Sequence, residues 1–282
     1  MPELPEIETI ARGLTPLLKD RKIASVETLA EGSITGDAEV FARRAEGAVF
    51  TRVWRRGKVF LADVSNGEEK YILAVHLRMS GRLVMEHEIP ADTDTLRYLR
   101  VALHFEDGCR LLFSDMRRFG RIALYTQDEL EEWPFYRTLG PEPLEMSAGE
   151  FVDIMGAKKA GIKGLLLNQK VIAGIGNIYA DESLFASGIH PAAKGADIPK
   201  EKLIVLHSEV QKVLRLAIQE NGSSIRDYRD SGGNAGAFQN SFKVYGKKGD
   251  SCTSCSEQLQ SGKIAGRTTV FCPQCQKIFA KE

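Results

Sequence analysis

Long apolar runs are missing from this chain. No span approaches the roughly twenty apolar residues a membrane helix needs, and the start shows no hydrophobic stretch of signal-peptide type. A cytoplasmic location with no membrane partner is the expectation. Net charge is missing too: 38 Lys+Arg balance 38 Asp+Glu, so bulk charge does not advertise a nucleic-acid partner. The halves differ, with 20 basic and 26 acidic residues over 1–150 (−6) against 18 and 12 over 151–282 (+6). That polarity permits a basic face on the second half or an ordinary solvated surface. No Lys-Ser/Thr follows the glycine turn at 174–176, which excludes a P-loop. There is no internal repeat. Cysteine is scarce at five residues, and four of those form two pairs; Cys109, beside an apolar strand-like run, reads as a small buried residue.

The chain's 282 residues, 43% of them hydrophobic, suit two domains with real cores. Leu4, Ile7, Ile10, Leu14 and Leu17 recur at helical spacing and predict an amphipathic helix ending near Asp20. From Lys22 to Tyr125 the pattern becomes short strands, at 23–29, 48–54, 58–64, 71–76, 81–85, 98–105, 110–114 and 121–125. Asn66-Gly67 and Asp107-Gly108 are hairpin-type turns. Strands at this spacing predict an antiparallel sandwich or flattened barrel. Residues 126–150 read as a short helix plus linker. Helical periods then occupy 151–155, 162–167, 180–187 and 200–221, followed by a Gly/Ser/Asn-rich loop over 223–242 that carries Arg226, Tyr228 and Arg229. The expected fold class is α+β and multidomain, with a β-sandwich unit over 1–132, a linker over 133–150, a helical domain with its loop over 151–242, and a cysteine module over 243–282.

The opening Met1-Pro2-Glu3-Leu4-Pro5-Glu6 supports two readings. Proline and acids at a helix start are ordinary capping grammar. Removal of the initiator methionine would instead leave Pro2 as a free secondary amine. An α-amino group has a pKa of about 8 and so is partly neutral near pH 7, able to attack carbon and form an iminium. Glu3 and Glu6 would stand beside it as proton donors and acceptors.

Cys252-x-x-Cys255 and Cys272-x-x-Cys275 flank sixteen residues, the spacing of a four-cysteine zinc ribbon. Four thiolates close the coordination shell, so one structural Zn²⁺ is expected. A redox dithiol would need only one pair. The hairpin between the pairs carries Gly266-Arg267, either a phosphate-contacting finger or a commonplace exposed turn. Asn177, after Gly174-Ile175-Gly176, is a plausible helix N-cap at an anion site or in a plain helix–helix turn. Met79 in His76-Leu77-Arg78-Met79-Ser80-Gly81, and Arg117 and Phe119 in Asp115-Met116-Arg117-Arg118-Phe119-Gly120, sit at strand turns. Such side chains can enter a duplex and hold a kink open, or simply pack in a core. Lys58, after Arg55-Arg56-Gly57, suits a phosphate or a charged strand edge.

Taken together, the opening Pro-Glu-Leu-Pro-Glu, the Arg-Arg-Gly-Lys run, the motifs at 76–81 and 117–120, Gly-Asn-Ile-Tyr-Ala-Asp-Glu at 176–182, and Val-Tyr-Gly-Lys-Lys-Gly before the cysteines resemble the bacterial formamidopyrimidine-DNA glycosylase family over nearly the whole chain. The resemblance implies a β-sandwich, a helix–two-turn–helix domain with a zinc finger, and damaged double-stranded DNA held between them by a monomer. It implies a glycosylase and abasic-site lyase for oxidised purines. Pro2 would be the nucleophile at the sugar C1′, Glu3 the acid/base, Glu6 its support, and Lys58 a phosphate grip near the lesion. Asn177 and Arg267 would form a phosphate clamp. Met79, Arg117 and Phe119 would fill the gap left by the extruded base, and Arg226 and Tyr228 would belong to a loop covering it. One departure stands out: where many relatives carry His-x-His, this chain reads Leu96-Arg97-Tyr98-Leu99-Arg100. The competing readings are an endonuclease VIII-like enzyme for oxidised pyrimidines, disfavoured by Leu4, a non-catalytic DNA-binding zinc-ribbon protein, disfavoured by Pro2-Glu3, and an RNA-binding zinc ribbon.

Overall fold

The computed structural model describes residues 2–87, 91–224, 230 and 234–279. The chain divides into two compact units, one of Met1–Arg137 with Glu220–Gln239, the other of Thr138–Gln219 with Asn240–Glu282.

The first unit opens with helix α1 (Leu4–Leu18), whose Ile7, Ile10, Leu14 and Leu18 are fully buried. Eight strands follow: β1 (Ile23–Thr28), β2 (Val49–Arg56), β3 (Val59–Ser65), β4 (Lys70–His76), β5 (Gly81–Glu86), β6 (Leu99–Phe105), β7 (Arg110–Asp115) and β8 (Arg121–Tyr125). They form two antiparallel sheets, ordered β1-β6-β7-β5 and β2-β3-β4-β8. Alternate residues of both sheets meet α1 in one core, where Phe50 and Phe105 pack edge to face at 5.9 Å. Cys109 is half-buried at the rim of that core, not buried within it, because its N–H is drawn to Asp107 Oδ1 in the β6–β7 turn.

Strands β3 and β4 read as nearly continuous apolar runs because both of their faces are covered. Val59, Leu61, Ile72 and Ala74 turn away from the main core and meet Leu130, Trp133, Phe135 and Tyr136 of the 127–137 segment. That segment holds two short helices where one was expected, α4 (Gln127–Glu132) and α5 (Pro134–Arg137). Pro134 separates them, since proline disfavours a helical conformation in the residue before it. Two more helices interrupt the strand region, α2 (Ala38–Ala45) and α3 (Thr93–Arg97). Asp37 caps α2 by accepting from the N–H groups of Glu39 and Val40, and Phe41 and Ala45 supply its buried face.

The second unit is helical: α6 (Ala148–Gly156), α7 (Ile162–Leu167), α8 (Asn177–Ala186) and α9 (Lys200–Gln219), which packs on α6 and α8. Hairpin β9 (Gln260–Ile264) and β10 (Arg267–Phe271) closes the unit and lies against α8. Among the described residues no helix is long and apolar enough to cross a membrane.

His76, at the end of β4, is buried edge-on against Phe135, and its Nδ1 accepts the Arg78 N–H at 3.2 Å. Burial, reinforced by the charges of Arg78 and Lys58, holds its pKa down at about 3. Below pH 6.5 the unfolded chain therefore takes up a proton that the folded chain refuses. Stability contributed by a neutral His76 is complete above pH 6.5 and drains away as pH falls towards 3. At pH 5.5 the loss is about 1.4 kcal/mol. His76→Gln should flatten the melting-temperature profile between pH 7 and 5 relative to the parent chain. Parallel profiles would show that His76 does not carry this acid sensitivity.

Candidate active site and nucleic-acid interface

At the N-terminus, Glu3 occupies the cap position of α1 in extended backbone, and Pro5 falls in the first turn, where its missing N–H costs nothing. The Glu6 carboxylate curls back over this cap. Its Oε2 accepts the Glu3 N–H at 2.8 Å, and its Oε1 accepts the Ser223 N–H at 2.8 Å and hydroxyl at 3.1 Å. Glu6 is 1% exposed, so these three donors compensate for the loss of water. Pro2 is buried beside Glu3, itself 2% exposed. The expected trio Pro2, Glu3 and Glu6 thus forms one dry cluster at a helix N-terminus, where the helix dipole favours carboxylates.

Ser223 begins the segment expected to be a long loop. Its two ends are stitched together: Phe238 N–H donates to Gly222 O at 3.0 Å, Gly236 N–H to Ser224 Oγ at 2.9 Å, and Ser224 N–H to Gln239 Oε1 at 2.9 Å. Among the described residues of the expected loop, Phe238–Ser241 forms a 3-10 turn. Arg226 and Tyr228 lie outside the described residues.

Lys58 occupies the two-residue turn between β2 and β3, after Gly57 at φ +55°. It is 7% exposed and close enough to His76 to depress the histidine's pKa. Two further turns carry the expected wedge residues. Met79 lies between β4 and β5; Arg117 and Phe119 lie between β7 and β8. Met79 is 39% and Phe119 50% exposed, and the Arg117 guanidinium stands 4.9 Å over the Phe119 ring. The core-packing reading of these two apolar side chains does not hold. Arg78 and Arg118, one in each turn, both adopt positive φ, an uncommon conformation for residues with a side chain. In the stretch that departs from the family pattern, Arg100 is buried and its Nε donates to the Asp115 carbonyl at 2.9 Å, while Tyr98 is half-buried under the Arg97 guanidinium.

In the second unit, Asn177 is the first residue of α8 and Gly176 holds the cap position, so the expected N-cap role of Asn177 does not hold. The reason is a stronger demand on its amide: Nδ2 donates to the Thr268 carbonyl of β10 at 3.0 Å. That bond links the helix start to the finger bearing Arg267, which is exposed just beyond a tight turn with Ala265 and Gly266 both at positive φ. The sequence reading missed the buried support beneath. Lys163, with no exposed surface on the apolar helix α7, ion-pairs with Asp181 at 2.6 Å and donates to Thr269 Oγ1 at 2.6 Å. The Thr269 hydroxyl in turn donates to the Arg267 carbonyl at 3.1 Å. Burial raises the Asp181 pKa to about 6 against the opposing pull of Lys163. The available signal was a lone lysine in the otherwise apolar run Ile162–Leu167. Glu182 was also missed; its carboxylate accepts the N–H groups of Lys243, Val244 and Tyr245 at 2.8–3.0 Å and anchors the chain entering the cysteine module.

The Sγ atoms of Cys252, Cys255, Cys272 and Cys275 all lie within 4.8 Å of one another, with Cys252–Cys275 at 3.8 Å and Cys255–Cys272 at 3.5 Å. Tetrahedral metal–sulfur bonds of about 2.3 Å require sulfur–sulfur edges of about 3.8 Å. The cluster therefore fits a metal ion, with no ligand position left for chemistry.

Residues 1–122 match the formamidopyrimidine-DNA glycosylase N-terminal domain, and residues 139–229 match the H2TH domain of that family. The formamidopyrimidine-DNA glycosylase of Moorella thermoacetica is 44% identical over 92% of this chain and 94% of its own length. A Lactococcus lactis FPG variant in complex with Fapy-dG containing DNA superposes with a TM-score of 0.88 at 32% identity, over 98% of this chain and 100% of that one. The complex of Lactococcus lactis Fpg with abasic-site DNA gives 0.88 at 32% identity, over 98% and 99%. With both family domains matched in order and relatives similar along nearly their full length, this chain belongs to the formamidopyrimidine-DNA glycosylase family.

Proposed function

We propose that this chain is a DNA repair enzyme that excises oxidised purines from duplex DNA and then cleaves the resulting abasic site, acting as a cytoplasmic monomer. The observation that carries the reading is the dry cluster of Pro2, Glu3 and Glu6 at the start of α1, on a chain similar to proteins solved with Fapy-dG and abasic-site DNA.

Once Met1 is removed, the Pro2 nitrogen attacks C1′ of the damaged nucleotide. The N–C1′ bond forms as the bond from C1′ to the base breaks, and the proton that the attacking Pro2 N–H gives up leaves with the base. Glu3 then gives a proton to the ring oxygen as the sugar opens, leaving an iminium between Pro2 and C1′. The iminium acidifies the neighbouring C–H bonds, so the two flanking phosphates leave in successive eliminations, with Glu3 positioned to move the protons. Glu6 holds Glu3 in place through the latter's N–H. Lys58 on the first unit, and Asn177 and Arg267 on the second, contact DNA phosphates. Met79, Arg117 and Phe119 occupy the gap left by the extruded nucleotide, lowering an extrusion cost of a few kcal/mol. The metal held by the four cysteines is one Zn²⁺, which supplies folding energy to the finger and no reaction step. Residues 1–132 carry the chemistry in this reading, and residues 151–282 most of the phosphate grip.

Borohydride reduces an iminium, so the chain incubated with an 8-oxoguanine duplex and borohydride should become covalently joined to DNA at residue 2. An extra residue ahead of Pro2 should abolish trapping, and Glu3→Gln should slow excision steeply while DNA binding persists. Full trapping with the Pro2 nitrogen blocked would overturn the mechanism, and preferential cleavage of oxidised-pyrimidine duplexes would overturn the substrate class. Elemental analysis should find one zinc per chain, lost together with DNA affinity in Cys252→Ala; native protein without zinc would contradict the metal assignment. Lys58→Ala and Arg267→Ala should each lower the salt dependence of binding by about one unit, and unchanged slopes in both would remove them from the interface.

A further inference from the structure

Asp115 has no exposed surface, yet it sits at the base of the exposed 116–119 turn. All its polar groups are engaged. Oδ1 accepts the Ser80 hydroxyl at 2.5 Å and the Arg117 N–H at 3.1 Å, and Oδ2 accepts the Gly120 N–H at 2.7 Å. Its N–H donates to the Tyr98 carbonyl at 2.9 Å, and its carbonyl accepts Arg100 Nε at 2.9 Å. Ser80 belongs to the other turn, and its Oγ also accepts the Arg117 N–H at 3.0 Å. Gly81 pairs with Asp115 across β5 and β7, so the two turns start from one rung of the sheet. The rung leaves no slack. A Cβ on Gly81 would lie 2.4 Å from the Leu77 carbonyl oxygen, and one on Gly120 would lie 2.8 Å from the Phe113 ring.

We propose that Ser80 and the Asp115 carboxylate form a clasp that fuses the two turns into a single rigid wedge, so that Met79 and the Arg117–Phe119 pair enter DNA as one body. Both are positioning residues for extrusion, and Arg100 braces the clasp from behind. The assignment rests on the wedge reading above. Separate turns, each with one residue at positive φ, could rotate away from a base stack. A hydroxyl shared between a buried carboxylate and the backbone N–H of the neighbouring turn removes that freedom before DNA arrives. Pre-organisation of this kind matters only when a paired base must be displaced.

The test compares single-turnover excision from an 8-oxoguanine:cytosine duplex with strand cleavage at a pre-formed abasic site, using the full chain. Ser80→Ala should slow the first about tenfold and the second less than twofold, the second substrate reporting that the variant is folded. Asp115→Asn, nearly isosteric, aims an NH₂ at the Gly120 N–H and should slow excision further with the same preference. In a Phe119→Ala background Ser80→Ala should lose most of its effect, because the clasp acts through the wedge. Equal losses on both substrates, no loss on either, or effects that simply multiply would overturn the clasp while leaving the wedge intact. If Phe119→Ala and Met79→Ala themselves show no preference for the paired substrate, the wedge reading fails and the clasp fails with it.

Discussion

The Glu6 carboxylate is the contact on which the front of this molecule depends. It is nearly inaccessible to water and takes donors from two places remote in sequence: the Glu3 N–H beside it and the N–H and hydroxyl of Ser223. An ionised carboxylate in such a place is tolerable only if its lone pairs are occupied. The requirement works in both directions. The helix start cannot drift without stranding the charge, and neither can the beginning of the 223–239 segment. Pro2 and Glu3 are therefore placed by a charge whose own cost of burial enforces the geometry.

The same device recurs beneath the exposed side chains of the proposed DNA interface. Asp115 lies beneath Arg117 and Phe119, Asp181 with Lys163 beneath the finger bearing Arg267, and Glu182 beneath the chain that enters the cysteine module. Each buried acid collects backbone N–H groups or a buried cation. Apolar packing holds a backbone by shape and tolerates small displacements, because dispersion is spread over many weak contacts. A buried ion or polar group has few acceptable partners, and losing one leaves an uncompensated charge costing several kcal/mol. Cores of the Phe50–Phe105 kind supply cohesion here, and the buried acids supply register.

Much of this was legible in the sequence. All eight strands of the sandwich were found within about two residues, because their apolar patterns and the Asn66-Gly67 and Asp107-Gly108 turns are local signals. The cysteine cluster was legible for the same reason, since pair spacing encodes the knuckle directly. Helix α2 was missed because its eight residues bury only Phe41 and Ala45, too few to set a period against the surrounding strands. Asn177 was misplaced by one position because its amide answers to Thr268, ninety-one residues away. Asp115 and Glu182 were unreadable as supports: each is a charged residue whose partners are set by tertiary contact, and no window of sequence distinguishes it from a solvated one, whereas Lys163 is marked only as a lone charge in an apolar run.

The exposed residues complete the logic. Phe119 and Met79 show large apolar surfaces to water, at a cost of about 25 cal/mol per Å² left uncovered. Arg78 and Arg118, beside them, hold positive φ, which costs on the order of 1 kcal/mol each. Neither expense improves the free protein. In the proposed wedge role, something apolar and flat covers the tips and something anionic meets the guanidiniums. A base stack between phosphates meets both conditions, whereas a protein core meets only the first. Arg117 stacked on Phe119 already presents the pairing of cation and aromatic face that such a site requires. The instability is confined to two turns, each anchored in a sheet whose core is complete without it, so the fold can carry strained and exposed tips without being loosened by them.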